Sequence, residues 1–211
     1  GWPFIGFAAV ANLLAYLLTP WAGLVLLPVT LWVVAFFRDP ERTAPSGPGL
    51  VICPADGKLL PVVQAVPPAE LDMGADPVTR LSIFMNVFNV HVNRSPCDGT
   101  VTKLAYRPGK FFNASFDKAS TDNERMSMRL RVTGAGGVAE KDIAVVQIAG
   151  LVARRIVSET SEGQQLCRGA RFGIIRFGSR VDVYLPDDAR VTAKAGQSVS
   201  AGRTILASFP G

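Results

Sequence analysis

At 211 residues with 48% hydrophobic content, the chain can bury one core and carry an apolar element besides, which argues for one soluble domain rather than two. Twenty-two Lys and Arg against 17 Asp and Glu leave a net charge of +5, which suits work at an anionic surface such as acidic lipid. The basic residues are scattered and no nucleic-acid-binding motif is present, so the composition argues against nucleic acid as a partner.

Residues 1–37 contain no charged side chain, and Arg38, Asp39, Glu41 and Arg42 then arrive together. That edge reads as a membrane boundary. Two apolar stretches, Trp2 to Leu18 and Trp21 to Phe37, flank Thr19-Pro20 and predict a membrane-associated helical hairpin over 1–37, broken at the proline. A helix of such length reaches roughly 25 Å against a hydrocarbon core of roughly 30 Å, so two short spans and one re-entrant hairpin both fit. Trp2, Trp21 and Trp32 are candidates for interfacial depth, and Trp32, in mid-segment, is equally a packing residue. Residues 38–50, rich in Pro and Gly, read as a linker to a domain spanning 51–211.

That domain is expected to be mainly β, a barrel or sandwich, because short β-branched runs recur between Gly and Pro breaks. Only Ala119 to Met128 and a segment near 153–162 read as helix. Asp56, between Pro54-Ala55 and Gly57, is either an Asx-turn cap or a general base. His91 is the one histidine of the chain; in NVHVNRSP it faces away from Val90 and Val92, and it is the natural candidate for moving protons near neutral pH.

The pair Gly178-Ser179 opens FGSRVDVYLP, a turn running into a strand with Val181, Val183 and Leu185 on one face and Arg180, Asp182 and Tyr184 on the other. A glycine carbonyl offers no side chain to block attack by the next hydroxyl, so this peptide bond is a candidate for self-cleavage. Attack would give an ester; β-elimination and hydrolysis would then leave a pyruvoyl group at position 179. The tail ARVTAKAGQSVSAGRTILA resembles half of a hammerhead, with Gly196 and Gly202 at its turns, and PADGKLLPVV echoes it. Cys53, Cys97 and Cys167 show no CxxC spacing, which argues against a metal site and suits a reducing compartment.

The segments FRDPER, PADGK (54–58), NVHVNRSPCDG (89–99), NERM (123–126), GLVARRIV (150–157) and FGSRVDVYLP (177–186) together resemble the short, bacterial-type phosphatidylserine decarboxylases. The match runs over nearly the whole chain in order and spacing. The resemblance implies decarboxylation of phosphatidylserine to phosphatidylethanolamine through a Schiff base on a pyruvoyl cofactor made from Ser179. It further implies a precursor cleaved between Gly178 and Ser179 into a β chain (1–178) and an α chain (179–211). Asp56 would serve as the self-cleavage base and His91 as the proton donor in turnover. Arg94, Lys110 and Arg125 are candidates for holding the headgroup, and Phe111, Phe112 and Phe116 for an apolar wall.

One departure stands out. Longer family members carry two histidines near this strand, and here Arg94 takes the place of the second. An Asp-His-Ser relay is thereby open to question: Asp56 acts directly or through water, or His91 serves both steps. The expected location is the inner membrane of a bacterial cell with the catalytic domain facing the cytoplasm; association of copies is left open. The alternative is a membrane-tethered hammerhead carrier or adaptor without catalysis.

Overall fold

The computed structural model describes residues 1–116, 118–133, 139–150, 156–176 and 179–210 of the chain. Its first two elements are helices α1 (Trp2–Leu18) and α2 (Pro20–Phe36), split at Thr19, whose extended backbone (φ −154°, ψ 113°) breaks the run. Pro20 opens α2, where a missing N–H costs nothing. The two helices lie in close contact: a Cβ on Gly23 would stand 2.4 Å from the Cβ of Tyr16, so only glycine permits this approach. Asn12 Nδ2 donates to the Gly23 carbonyl at 3.0 Å across the same crossing.

The hairpin is therefore present, but the expectation of membrane spans is corrected. No helix among the described residues is long and apolar enough to cross a membrane. Each covers 17 residues, or about 25 Å of axis. Their outer surfaces are nonetheless strongly apolar, with Trp2, Phe7, Leu17, Leu18, Trp21 and Val25 all well exposed.

The rest is mainly β, as its composition predicts. In chain order the strands are β1 (Leu50–Ile52), β2 (Gly57–Leu59), β3 (Val63–Ala65), β4 (Val78–Met85), β5 (Val92–Arg94), β6 (Gly99–Arg107), β7 (Arg125–Val132) and β8 (Lys141–Ala149). They continue as β9 (Ile156–Ser158), β10 (Gln165–Leu166), β11 (Arg171–Ile175), β12 (Ser179–Leu185), β13 (Arg190–Val191), β14 (Ser198–Val199) and β15 (Ile205–Ser208). A 3-10 turn occupies Ala69–Leu71, and a single helical turn, α3, covers Ala119–Asp122.

One long antiparallel sheet runs in the order β10-β6-β7-β8-β12-β4-β2-β14, with β3 added to β4. Two small sheets, β1-β15-β13 and β5-β11-β9, accompany it. At the centre, β12 pairs along its length with β4 and β8. Every residue of β12 is buried. Its two faces serve different cores, as the alternation in the sequence predicts. Val181, Val183 and Leu185 join the main core with Leu81, Ile83, Met128 and Leu130, whereas Tyr184 joins a smaller cluster with Leu71, Val146 and Ile148.

The helix expected over Ala119 to Met128 is corrected: it ends at Asp122, and β7 begins at Arg125. Pairing of β7 with both β6 and β8 over its full length outweighs the weak helical propensity of that run. Of the second expected helix, near 153–162, residues 156–158 form β9, and 153–155 lie outside the described residues.

Candidate active site

Ser179 is the first residue of β12, held between Met85 of β4 and Ala149 of β8. It is wholly buried, and its Oγ has no hydrogen-bond partner among the described residues. A buried hydroxyl left without a partner costs about 1–3 kcal/mol, and Ser82 and Ser158 share that condition, so what sets Ser179 apart is its place at the head of the buried central strand directly after Gly178. Its predicted cleavage partner Gly178 lies outside the described residues.

The opposite face of the same strand fixes this position. Arg180 binds Asp182 through Nε to Oδ1 at 2.5 Å and Nη2 to Oδ2 at 2.8 Å, and its Nη2 also donates to Ser120 Oγ at 2.6 Å. Both charged residues are buried. Asn123 works beside them: its Nδ2 donates to the Ala149 carbonyl at 2.7 Å and to the Phe112 carbonyl at 2.8 Å, and its Oδ1 accepts from the Phe112 N–H. The loop carrying Phe111 and Phe112 is thus tied to the strand next to Ser179. Phe111 packs against the main core, while Phe112 and Phe116 are exposed.

His91 reaches the same end of the sheet by a short route. The chain leaves Met85, the partner of Ser179, and arrives at His91 six residues later. The carbonyl of His91 accepts from Ile175 N–H at 3.4 Å, four residues ahead of Ser179. The imidazole is fully buried, with the Phe36 ring tilted over it at 4.2 Å between centroids. Its Nδ1 lies 2.9 Å from the Asn89 carbonyl, and because a carbonyl can only accept, Nδ1 carries the proton and Nε2 is the accepting nitrogen. Burial, helped by the positive charge of Arg38, pushes the His91 pKa down to about 4, against a raising influence from Asp56 and the Asn89 bond.

Asp56 sits in the loop between β1 and β2. Arg42 forks onto both carboxylate oxygens, its Nη2 at 2.8 Å from Oδ2 and its Nη1 on Oδ1, while the Ala201 N–H donates to Oδ1 at 2.8 Å. The next residue, Gly57, must be glycine: a Cβ there would stand 2.1 Å from the Phe84 carbonyl. This lets β2 lie against β4, with Lys58 opposite Phe84. Phe84 precedes Met85, whose other neighbour is Ser179, so the structure brings Asp56, His91 and Ser179 to one end of the β2-β4-β12 ladder.

The three candidate headgroup residues fall in different places. Arg94 is buried and donates to Asp39 Oδ1, the Pro40 carbonyl and the Gly169 carbonyl, each at 3.0 Å. Arg125 forks onto Glu70 at 2.6 and 2.8 Å and donates to the Ser120 and Thr121 carbonyls. Burial would raise the Glu70 carboxyl, but its bonds from Arg125 and Ser127 hold it at about 2. Lys110 is exposed on the Phe111-Phe112 loop, its ammonium 5.6 Å from the centre of the Phe112 ring.

Several site residues escape sequence reasoning. Phe36 of α2 is 1% exposed and caps His91, while Trp32 Nε1 donates to the Val87 carbonyl at 3.3 Å and Arg38 Nη2 to the Phe88 carbonyl at 2.8 Å. An apolar segment gives no sign of which ring turns inward. Beneath Ser179, Gln147 Nε2 donates to Asn93 Oδ1 at 2.7 Å. The strand period placed Asn93 and His91 on one face, which was the available signal.

Residues 29–207 match the family model for phosphatidylserine decarboxylase. The chain is also similar to the phosphatidylserine decarboxylase proenzyme of Paramagnetospirillum magneticum, with 56% identity over 210 residues, covering 98% of this chain and 84% of that relative.

Proposed function

The chain belongs to the phosphatidylserine decarboxylase family, and from that premise we propose that Ser179 is both the residue that cleaves the chain and the seat of catalysis. The protein is a carboxy-lyase that converts phosphatidylserine to phosphatidylethanolamine and is processed from a proenzyme. What carries the assignment to Ser179 is its buried place at the start of the central strand, directly after Gly178 in a chain of this family.

In self-cleavage, Oγ attacks the carbonyl of Gly178, forming a C–O bond as the C–N bond breaks and giving an ester. Loss of the Cα proton of Ser179 with departure of the Gly178 carboxylate from Cβ leaves dehydroalanine. Water then releases ammonia and leaves a keto group. Asp56 accepts the first proton, directly or through His91 Nε2. The products are a β chain of residues 1–178 and an α chain of residues 179–211.

The surroundings fit a pyruvoyl group at position 179, because its formation deletes an oxygen that holds no hydrogen bond among the described residues. Bound there, the group supplies an electron sink for loss of carbon dioxide from the substrate headgroup. His91 keeps its Nδ1 proton on the Asn89 carbonyl, takes a proton at Nε2 and returns it to the product carbon. Burial around Met85 and Ala149 excludes water from that exchange. For the anionic parts of the headgroup, Lys110 is a cation on the loop tied to Ala149, as is Lys118, which is 3.8 Å from Asp122; Arg94 and Arg125 would serve only by leaving Asp39 and Glu70.

The exposed apolar surface of the hairpin is proposed to rest against the lipid surface, bringing the site to its substrate. The scattered cations and three free cysteines support a bacterial inner membrane with the catalytic domain on the cytoplasmic side. The pairing of β2 with β14 supports a hammerhead-like unit made from PADGK and the tail.

Mass analysis of the purified chain tests the reading. Wild type should give two polypeptides divided ahead of residue 179, the smaller with a blocked first residue. Ser179→Ala should remain one chain and release no carbon dioxide from phosphatidylserine. An intact wild-type chain that turns over lipid, or turnover by Ser179→Ala, would overturn it.

A further inference from the structure

We propose that Arg42, the last residue of FRDPER, is a positioning residue for self-cleavage that leaves Asp56 a single lone pair to receive a proton. The inference rests on the reading of Asp56 as the self-cleavage base. An ionised carboxylate presents about four acceptor sites, two on each oxygen. Arg42 Nη1 and the Ala201 N–H occupy Oδ1, and Arg42 Nη2 occupies one site of Oδ2 at 2.8 Å. One site on Oδ2 remains among the described residues. A guanidinium fork is planar and rigid, so it sets the rotation of the carboxylate as well as opposing its charge.

Arg42 is itself held. Nη1 also donates to the Ala201 carbonyl at 2.7 Å, and its side chain is only 7% exposed, against 14% for Asp56. The surrounding linker is anchored independently: Arg171 binds Asp39 at 2.5 Å and Glu41 at 2.8 Å, and Arg94 binds Asp39 at 3.0 Å. Gly202 permits this packing, since a Cβ there would stand 3.0 Å from Arg94 Cδ and 3.8 Å from Arg42 Cβ. Among the described residues, the charged and titratable neighbours of Asp56 include Arg42 from the linker, Cys53 from the end of β1 and His91 ahead of β5, with Asp39 acting on Arg42. Arg42 is the one that touches the carboxylate. A proton acceptor misaimed by about 1 Å loses roughly a hundredfold in rate, which sets the scale of the expected effect.

The test follows conversion of the newly made full-length chain into its two fragments by mass. Arg42→Ala should slow conversion roughly a hundredfold, added guanidinium ion at millimolar concentration should restore part of the rate, and Arg42→Lys should fall between. Arg171→Ala, which loosens the linker without touching Asp56, should convert at close to the wild-type rate. If Arg42→Ala is too unstable to purify, the Arg42→Lys and Arg171→Ala pair decides: equal rates overturn the inference, a slower Lys variant supports it. Wild-type conversion by Arg42→Ala, or a slow Arg42→Ala that guanidinium leaves unchanged while Arg171→Ala is equally slow, also overturns it. Asp56→Asn separates the layers. If that variant converts normally, the reading of Asp56 falls and this inference with it; if it is blocked while Arg42→Ala is normal, the inference alone falls.

Discussion

Two buried polar clusters lie back to back across β12, one built of paired charges and the other of neutral groups. On one face the charges close on one another: two Arg180 nitrogens bind the two Asp182 oxygens, Arg80 lies 3.9 Å from Asp182 and donates to Ser120 at 3.3 Å, and Ser120 accepts from Arg180 and donates to Asp182 at 3.2 Å, while the neighbouring Ser82 Oγ has no hydrogen bond among the described residues. On the other face, Ser179 Oγ and Gln147 Oε1 are both buried without a partner among the described residues. The first arrangement is what a fold requires of buried charge; the second tolerates a standing cost at the place where a bond must break. Rigidity on one face supplies the fixed position that the reactive face uses.

The comparison breaks if the closed cluster can be opened cheaply. Asp182→Asn keeps the shape but removes the carboxylate onto which Arg180 forks and which Arg80 faces at 3.9 Å, and should destabilise the chain by about 3–5 kcal/mol. Ser179→Ala, on the other face, removes a buried hydroxyl that has no hydrogen bond among the described residues and should raise stability by up to about 1–3 kcal/mol. Denaturant unfolding of the two variants, with Asp182→Asn built on Ser179→Ala so that chain cleavage does not intervene, measures both. Equal losses would mean that the two faces are not different in kind.

Much of this contrast was legible beforehand. The alternation of FGSRVDVYLP separated Ser179, Val181 and Val183 from Arg180 and Asp182, because strand period alone assigns faces. Asp56 and His91 were also singled out as candidates, Asp56 through the family resemblance and His91 through the rarity of histidine. What sequence could not supply was partnership across distance. That Arg180 would fold back on Asp182, two residues on, needs α3 packed above it to complete the set through Ser120. That Arg94 would be held by Asp39 needs the linker returned onto β5. The hairpin showed the same limit: its apolar length was plain, whereas the inward turn of Phe36 onto His91 depends on the loop 86–90 beneath it.

His91 sharpens the comparison through pH. Its folded value of about 4, against 6.5 for an ordinary histidine, means that the unfolded chain takes up a proton which the folded chain refuses. Stability is therefore full above pH 6.5 and falls by about 3 kcal/mol as pH drops toward 4. Glu70 acts lower: with its carboxyl held at about 2, its contribution is full above 4.5 and is lost below that. Unfolding of the Ser179→Ala chain between pH 7 and 4.5 should show the histidine slope, and His91→Gln should flatten it. A slope that survives His91→Gln belongs to other groups.

The smallest effect concerns how the hairpin keeps His91 dry. Trp32 Nε1 donates to the Val87 carbonyl at 3.3 Å, and its ring leans on Phe36 at 5.8 Å between centroids. Trp32→Phe keeps an aromatic ring and removes the one N–H, so the direct loss should be about 0.5–1.5 kcal/mol, or roughly 1–6 °C in melting temperature for a chain of this size. The informative readout is the histidine slope in the same variant. If the bond to Val87 helps to seat Phe36 over His91, loosening it admits water, the folded pKa of His91 moves up toward 6.5, and the slope between pH 6.5 and 4 shrinks. An unchanged slope beside a lowered melting temperature would show that Phe36 keeps its place over His91 without help from the Trp32 bond.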